Sequence, residues 1–153
     1  MTIEEKIRDL QLELPPAPAA GGIYRPVVIT GNYLYVSGQG PVRNDGSLIT
    51  GKVGKDLSME EGQKAARQVG LTMLSTMKNQ IGSLSKIKRL IKTLGMVNCY
   101  PEFEHQPQVI NGFSELMKEV FGEANGVGAR SAVGNSLPGN IACEIEAIFE
   151  LQD

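Results

Sequence analysis

The 153-residue chain has only two cysteines, one histidine and no tryptophan. Two cysteines do not make the disulfide framework of a small secreted protein, so we expect Cys99 and Cys143 to be free thiols in a reducing compartment. A zinc site needs three or four clustered ligands, and no spacing of such residues provides them. A Ser-His-Asp or Cys-His arrangement would have to use His105, whose place just before a predicted helix is more typical of a helix start.

Blocks of one charge sign and long apolar runs are also missing. The formal net charge is −2, and no basic block offers a sequence-independent grip on a nucleic-acid backbone. The N-terminal residues lack the apolar segment of a signal peptide, and no run approaches the length of a membrane span. We therefore expect a cytoplasmic protein, and its 41% hydrophobic and 21% charged residues are ordinary for a globular domain.

The first residues predict a helix over 2–13, because four apolar residues recur there at helical spacing. These residues are Ile3, Ile7, Leu10 and Leu14. The sequence PPAPAAGG at 15–22 then predicts an extended linker. We therefore divide the chain into an N-terminal helix with its linker, residues 1–22, and a single domain, residues 23–153.

The domain itself predicts an α+β fold with the element order β-β-β-α-β-α-β-β. The strands are expected around the Gly31-Asn32 turn, near 48–50, over 87–100, and over 130–136 and 141–151, with amphipathic helices from Ser58 to Gly82 and from Pro107 to Gly122. The first two strands and the last two, which the LPGN turn joins, should each pair as a hairpin, and this indicates a mixed or antiparallel sheet. Because each helix has one apolar face, both helices should pack on the same side of that sheet.

The last two predicted strands carry an arginine and two glutamates where core residues are expected. Glu144 and Glu146 lie two residues apart, so both project to one face of a strand. The other face is apolar and should be the one that the helices cover; its residues are Cys143, Ile145, Ala147 and Phe149. A solvated face on which Arg130 pairs with a glutamate would explain this pattern. Spacing alone favours this interpretation over the alternative, in which the guanidinium holds a carboxylate ligand.

Four motifs resemble the YjgF/Rid family, the reactive intermediate (enamine/imine) deaminases, and they stand in that family's order. They are YVSGQGPV (35–42), VINGFSELMKEVFG (109–122), ARSAV (129–133) and LPGNIACEIEAI (137–148). The resemblance extends from about Tyr24 to the C-terminus. The additional N-terminal helix and linker are similar to the longer-chain subgroup of the family.

The resemblance implies a chorismate-mutase-like unit and a homotrimer whose sheets close into a central β-barrel with the helices outside. It also implies hydrolysis of 2-aminoacrylate, its imine tautomer 2-iminopropanoate and related 2-imino acids to 2-oxo acids and ammonia, which detoxifies them. The sites would lie in clefts between subunits. No metal, organic cofactor, nucleic acid or membrane is expected to take part.

Six residues of this chain match functional positions of the family. The resemblance implies that Arg130 holds the substrate carboxylate and that Glu144 positions the attacking water. It implies that the remaining positions line the cleft or lie near the ligand: Tyr24, Ser37, Gly38 and Asn111. The roles agree with the chemistry, since a guanidinium binds a carboxylate bidentately and a partly buried glutamate can move protons near neutral pH.

Two other functions are compatible with the same motifs. One is a non-catalytic or regulatory trimer that binds small carboxylates without turnover. The other is the endoribonuclease role for which some family members are named. The acidic pI of about 5.5, the missing basic patch and the single histidine argue against RNA cleavage.

Three departures from the family pattern lie near the predicted site. Gly128 stands where the family usually has proline, which predicts a looser approach of the chain to Arg130. Ala132 stands where close homologues of the bacterial archetype often have cysteine, so no thiol-based switch is expected at that position. The turn over 134–140 is one residue shorter than usual, which predicts a different loop beside the site.

Overall fold

A computed structural model describes residues 1–153 as a five-stranded mixed sheet with two long helices on one face. In chain order the helices and strands are α1 (Ile3–Asp9), β1 (Val27–Thr30), β2 (Tyr33–Gln39), α2 (Met59–Ile81), β3 (Ile87–Asn98), α3 (Gln106–Phe121), α4 (Glu123–Gly126), β4 (Ala129–Asn135) and β5 (Cys143–Leu151). Short 3₁₀ turns cover Leu84–Lys86 and Pro138–Asn140. No helix combines the length and the apolar character needed to cross a bilayer.

The strands lie in the order β1-β2-β5-β3-β4. All neighbours pair antiparallel except β3 and β4, which are parallel and connected through α3. A parallel pair needs such a crossover, because its second strand must start again at the same end of the sheet. The predicted mixed sheet is thus confirmed, but the expected pairing of the last two strands is wrong. β3 lies between them, which leaves β4 at an edge.

The predicted short strand near 48–50 is also absent as a strand. Leu48 and Thr50 form only isolated bridges, to Val42 and Ile141. Gly51 follows at once with a φ of 124°, a left-handed conformation that turns the chain before a ladder can extend. The observed order is therefore β-β-α-β-α-β-β, with the small α4 before β4.

The two long helices begin and end at the residues that the sequence indicates. The Ser58 hydroxyl accepts from the Glu61 amide, and the Glu61 carboxylate accepts from the Ser58 amide, each at 3.1 Å. This reciprocal pair is the predicted capping box of α2. Gly82 and Gly122 end α2 and α3 with φ of 86° and 82°, conformations that favour glycine.

The core lies between these helices and one face of the sheet. The predicted stripes of α2 and α3 are buried there, in a cluster of 27 residues. Gly112 of α3 packs on the carbonyl of Gln63 in α2, where a side chain would collide with backbone. The glycine therefore lets the two helices approach closely.

The opposite face of the sheet, called the open face here, is not covered by either long helix. It carries the alternate residues of the strands, including Val28, Tyr35, Leu94, Val133, Glu144, Glu146 and Ile148. Tyr35 is 44% exposed and Val28 50% exposed. A face with such large exposed apolar side chains is typical of an interaction surface.

Residues 1–22, called the arm here, pack on the rest of the chain. The helix α1 is shorter than predicted, because the chain turns at Gln11 with a φ of 55°. The Glu4 carboxylate accepts hydrogen bonds from the Ser83 hydroxyl at 2.8 Å, the Leu84 amide at 2.6 Å and the Ser85 hydroxyl at 2.8 Å. Ile7 is buried in the core. The arm is thus fastened both by charge-assisted hydrogen bonds and by apolar contact.

Candidate functional site

Four of the six predicted site residues line one cavity of about 700 Å³. They are Tyr24, Ser37, Gly38 and Glu144. The cavity lies where the end of β2 meets β5, and the last residues of the arm form part of its wall. Glu144 and Glu146 are the only charged side chains among its lining residues.

A β-bulge at Ser37 and Gly38 shapes this cavity. Val36 pairs with Ala147 and Gln39 pairs with Ile145, so two residues of β2 stand opposite Glu146. Such a bulge bends the strand locally and redirects side chains. The predicted Ser-Gly pair is therefore the irregular point of an otherwise regular ladder.

Gly38 makes room for the carboxyl group of Glu144. A Cβ atom at Gly38 would lie 2.7 Å from Glu144 Oε2 and 2.9 Å from its Cδ. Any larger residue would have to displace the Glu144 carboxyl group. Glycine is therefore required at position 38 of the motif to leave space for the Glu144 carboxyl group.

Hydrogen bonds hold the bulge in place. The Ser37 hydroxyl donates to the Arg25 carbonyl at 2.6 Å. The buried Gln39 donates from Nε2 to the Ser37 carbonyl at 2.9 Å and accepts at Oε1 from the Thr76 hydroxyl at 2.8 Å. Gln39 and Thr76 are not among the predicted site residues. A polar residue between two glycines, at a strand position that faces the core, could have indicated the structural role of Gln39.

Tyr24 connects the arm to the cavity. Its hydroxyl accepts a hydrogen bond from the Gly21 amide at 3.0 Å, and the side chain is 51% exposed. The ring therefore stands at the entrance of the cavity, with its hydroxyl held by the arm.

Partial burial raises the pKa of Glu144, and repulsion from the neighbouring Glu146 carboxylate raises it further. Both effects disfavour the charged form. A carboxyl group with a raised pKa can exchange protons closer to neutral pH than an ordinary glutamate. Among the predicted residues in the cavity, Glu144 is the one suited to acid-base chemistry.

Arg130 lies at a second, smaller cavity of about 230 Å³ together with Asn111. Its Nη1 donates to Asn111 Oδ1 at 2.7 Å and to the Ser114 hydroxyl at 3.2 Å. The predicted Asn111 thus contacts Arg130 itself. Ser114 was not predicted, although it follows Asn111 by three residues and so shares its helix face.

Arg130 and Glu144 lie on opposite faces of the sheet. Arg130 pairs in register with Thr93, which is buried beneath the helices, whereas Glu144 pairs with Met96 on the open face. Arg130 forms no ion pair with Glu144 or Glu146, so the ion-pair interpretation of this strand pair is wrong. Within one chain these two residues do not form a common site.

The backbone before Arg130 is closely packed. A Cβ atom at Gly128 would lie 2.7 Å from the Ile91 carbonyl oxygen and 2.8 Å from that of Leu90. The looser approach predicted from Gly128 is therefore not observed, because the missing side chain allows contact with the β3 backbone.

The remaining candidates for chemistry do not join either cavity. His105 packs edge-on against Phe103, with ring centroids 5.8 Å apart. Burial raises the pKa of the Cys143 thiol, which is an inert core side chain. Histidine, cysteine and carboxylate side chains form no group of three that could hold a metal ion.

The chain is similar to the members of one known protein family. Residues 4–151 match the model of the family described as "YjgF/chorismate mutase-like, putative endoribonuclease". The chain belongs to this YjgF/Rid family. It is 40% identical over 152 residues to "Protein TCP17" of Trypanosoma cruzi, covering 99% of this chain and 95% of that protein.

Two solved structures share nearly the whole chain. Atu1372 from Agrobacterium tumefaciens is 43% identical, with a TM-score of 0.88 over 99% of this chain and 94% of that chain. A structure from Shewanella oneidensis described as a putative endoribonuclease is 34% identical, with a TM-score of 0.93 over 99% of this chain and 100% of that chain. Because both alignments cover 99% of this chain, the arm is part of the shared fold.

Proposed function

We propose that the protein hydrolyses 2-imino acids and their 2-enamino tautomers, such as 2-aminoacrylate, to 2-oxo acids and ammonia. The observation that carries the proposal is Glu144, whose carboxyl group has a raised pKa and lines a cavity. Glu144 belongs to the motif LPGNIACEIEAI at 137–148. Membership of the YjgF/Rid family supports it. The products are small 2-oxo acids, so the reaction removes reactive imines.

The reaction needs only proton transfer and a positioned water molecule. Glu144 as carboxylate accepts a proton from water while the water oxygen bonds to C2 of the protonated imine. Glu144 then returns that proton to the amino group, the C2–N bond breaks and ammonia leaves, while the C2 hydroxyl passes its proton to the Glu144 carboxylate and becomes the carbonyl. Ammonia takes up this proton, so one protonated imine and one water give one 2-oxo acid and one ammonium ion. A 2-enamino acid first gains a proton at C3 to become the imine.

The substrate carboxylate needs a cation that the Glu144 cavity does not contain. The charged residues lining that cavity are both glutamates, and Arg130 lies on the other face of the sheet. We propose that the site is completed in a homotrimer, in which Arg130 of one subunit meets the Glu144 cavity of the next. Hydrogen bonds from Arg130 to Asn111 and Ser114 orient the guanidinium and leave its Nη2 for a carboxylate oxygen.

The open face supports such an assembly. Tyr35, Val28 and Val133 are 44%, 50% and 42% exposed in the single chain. Covering side chains of this size with another surface is energetically favourable, because it removes apolar area from water. Packing of three open faces around one axis would bury them and would bring the edge strand β4 to a neighbouring subunit.

A carboxylate-binding protein without turnover is the second candidate. The observation that favours it is the Arg130, Asn111 and Ser114 cluster, which is complete within one chain and contains no carboxyl group. This candidate predicts binding of 2-oxo acids without release of ammonia. An RNA-cleaving function has less support, since the single histidine packs on Phe103 outside both cavities.

The test measures ammonia release from imino acids that an amino-acid oxidase generates in situ. We expect the wild type to accelerate release and Arg130→Ala to lose about 100-fold or more, because an unanchored substrate no longer lies in line with the water. Arg67→Ala is the matched control, since that arginine pairs with Glu119 between α2 and α3 away from both cavities. Unchanged activity in Arg130→Ala would contradict the mechanism.

Mixing two inactive variants tests the shared site. Arg130→Ala and Glu144→Gln are co-expressed, so that mixed oligomers contain clefts in which both residues are intact. Partial recovery of ammonia release is expected if the two residues come from different subunits. If both variants are inactive alone and the mixture is also inactive, the two residues do not meet across an interface.

A further inference from the structure

The arm forms one wall of the Glu144 cavity, and this wall is apolar. The side chains at this part of the cavity are small or aliphatic: Pro18, Ala19 and Ala20 from the arm, and Val42, Leu48 and Ile141 from the loops beside it. None of them carries a charge or a polar side-chain atom. The predicted linker is therefore a structural part of the site rather than a connection in front of it.

The position of this apolar part relative to Glu144 follows from two glycines of β2 and its continuation. Gly38 touches the Glu144 carboxyl group. Gly40 touches the apolar wall, since a Cβ atom there would lie 3.4 Å from Ile141 Cδ1 and 3.5 Å from Leu48 Cδ2. Gly38 and Gly40 are two residues apart, a length of at most about 7 Å along the chain, so the Glu144 carboxyl group and the apolar wall line neighbouring parts of one cavity.

The cavity therefore offers an acid-base group and, beside it, an apolar surface. With C2 of a substrate at Glu144, an aliphatic side chain of three or four carbons has more surface to place against Leu48 and Ile141 than a methyl or methylene group has. The volume of about 700 Å³ also exceeds what a three-carbon imino acid fills, since cavities of about 300–1,000 Å³ accommodate much larger ligands.

We infer that the arm, Leu48 and Ile141 form a subsite for the substrate side chain, which makes the protein selective for 2-imino acids with long or branched aliphatic side chains. This inference rests on the proposed deaminase function. Two hydrogen bonds keep the wall in position: the Ser75 hydroxyl donates to the Pro15 carbonyl at 2.6 Å, and the Gly21 amide donates to the Tyr24 hydroxyl at 3.0 Å.

The test compares kcat/KM for imino acids made in situ from leucine and from alanine. We expect the leucine-derived imine to be preferred about tenfold or more, as one methylene group in an apolar pocket already discriminates about 10-fold or more. Leu48→Asp should lower the preference by at least tenfold. Leu48 is 43% exposed, so this variant is expected to fold.

Ile29→Asp is the matched control, because Ile29 is 52% exposed and does not line the cavity. It should leave the ratio between the two substrates unchanged. Equal kcat/KM values in the wild type, or equal losses for both substrates in Leu48→Asp, would overturn the subsite while leaving the deaminase function standing.

If no imino acid is hydrolysed, the deaminase function fails and the subsite is judged by binding. Calorimetry then compares 4-methyl-2-oxopentanoate with pyruvate on the wild type and on Leu48→Asp. Tighter binding of the branched acid that is lost in the variant supports the subsite. Equal binding of both acids, or binding of neither, overturns it.

Discussion

The two faces of the sheet differ in whether the chain itself covers them. The helix-covered face is closed by its own chain, with Phe149, Ile145 and Leu34 fully buried under α2 and α3. The open face presents tyrosine, valine and two glutamates without a cover from the long helices. The helix-covered face contributes most of the stability of the single chain. The open face contributes little to that stability unless another surface or a ligand covers it.

The largest expected effect concerns the helix-covered face. Phe149→Ala should lower the free energy of unfolding by about 3–5 kcal/mol, because it leaves a cavity among fully buried neighbours. Tyr35→Ala on the open face should cost less than about 1 kcal/mol in the fold of one chain and act mainly on association. Urea unfolding and light scattering measure the two quantities. A similar loss of unfolding free energy in both variants would contradict this difference between the two faces.

The second prediction concerns the bulge at the rim of the open face. Gly38→Ala should lower ammonia release by about 10- to 100-fold, because the new methyl group displaces the Glu144 carboxyl group by a fraction of an ångström or more. Stability should change by less than about 1 kcal/mol, since the displaced atoms end a flexible side chain. Gly22→Ala is the control, where a Cβ atom would meet only the Tyr24 ring at 3.8 Å. Full activity in Gly38→Ala would show that Glu144 is placed differently during catalysis.

The third prediction concerns the arm. Glu4→Gln should lower the free energy of unfolding by about 1–2 kcal/mol, because a neutral amide accepts the hydrogen bonds of residues 83–85 less strongly than a carboxylate. Burial tends to raise the pKa of Glu4, but hydrogen bonds from Ser85, Ser83 and the backbone outweigh it and lower that pKa. The stabilisation is therefore present above the ordinary carboxyl range and is lost as the pH falls through the lowered pKa.

Denaturant titrations at neutral and acid pH check this prediction. The difference between wild type and Glu4→Gln should shrink in acid. Glu102→Gln serves as control, since its exposed carboxylate has no hydrogen-bond or ion-pair partner in the chain. A constant difference across pH would contradict the role of the charged carboxylate.

The smallest expected effect has the opposite sign and lies on the open face. The raised pKa of Glu144 means that its ionised form is less favourable in the folded than in the unfolded chain. Glu144→Gln should therefore raise the melting temperature slightly at neutral pH, and the gain should vanish below the ordinary carboxyl range, where the wild-type group is protonated in both states. Calorimetry at two pH values measures it. A lower melting temperature at neutral pH would contradict the raised pKa.

The covered face could be predicted from the sequence because each of its residues follows a simple period. The apolar positions of β5 alternate, and those of α2 and α3 recur every three or four residues. Capping residues such as Ser58 and Gly122 then mark where the helices begin and end. These signals are local, so one sequence is sufficient to read them.

The position of Arg130 could not be predicted in this way. β4 is an edge strand whose residues are almost all exposed, so its sequence has no alternation that would assign Arg130 to a face. Its parallel pairing with β3 depends on the crossover through α3 and not on any residue of β4. Family resemblance associated Arg130 with Glu144, but only the register shows that one chain holds them on opposite faces.

The strand expected near 48–50 failed for a related reason. Ile49 and Thr50 have β-branched side chains, yet Leu48 lines the cavity and Gly51 turns the chain immediately afterwards. The apolar side chain of Leu48 lines the cavity and is not part of a paired strand. Local propensity does not distinguish these two uses.

The way the arm is attached also determines how readily the cavity opens by local unfolding. Ile7 is the one buried residue of α1, and the hydrogen bonds of the arm join residues far apart in the chain, such as Glu4 and Leu84, which are 80 positions apart. Segments of this kind detach in local openings that require less free energy than global unfolding. Amide hydrogens of α1 should therefore exchange with solvent before those of α2. The wall that shapes the cavity thus belongs to a less stable unit of the protein than the core that supports Glu144.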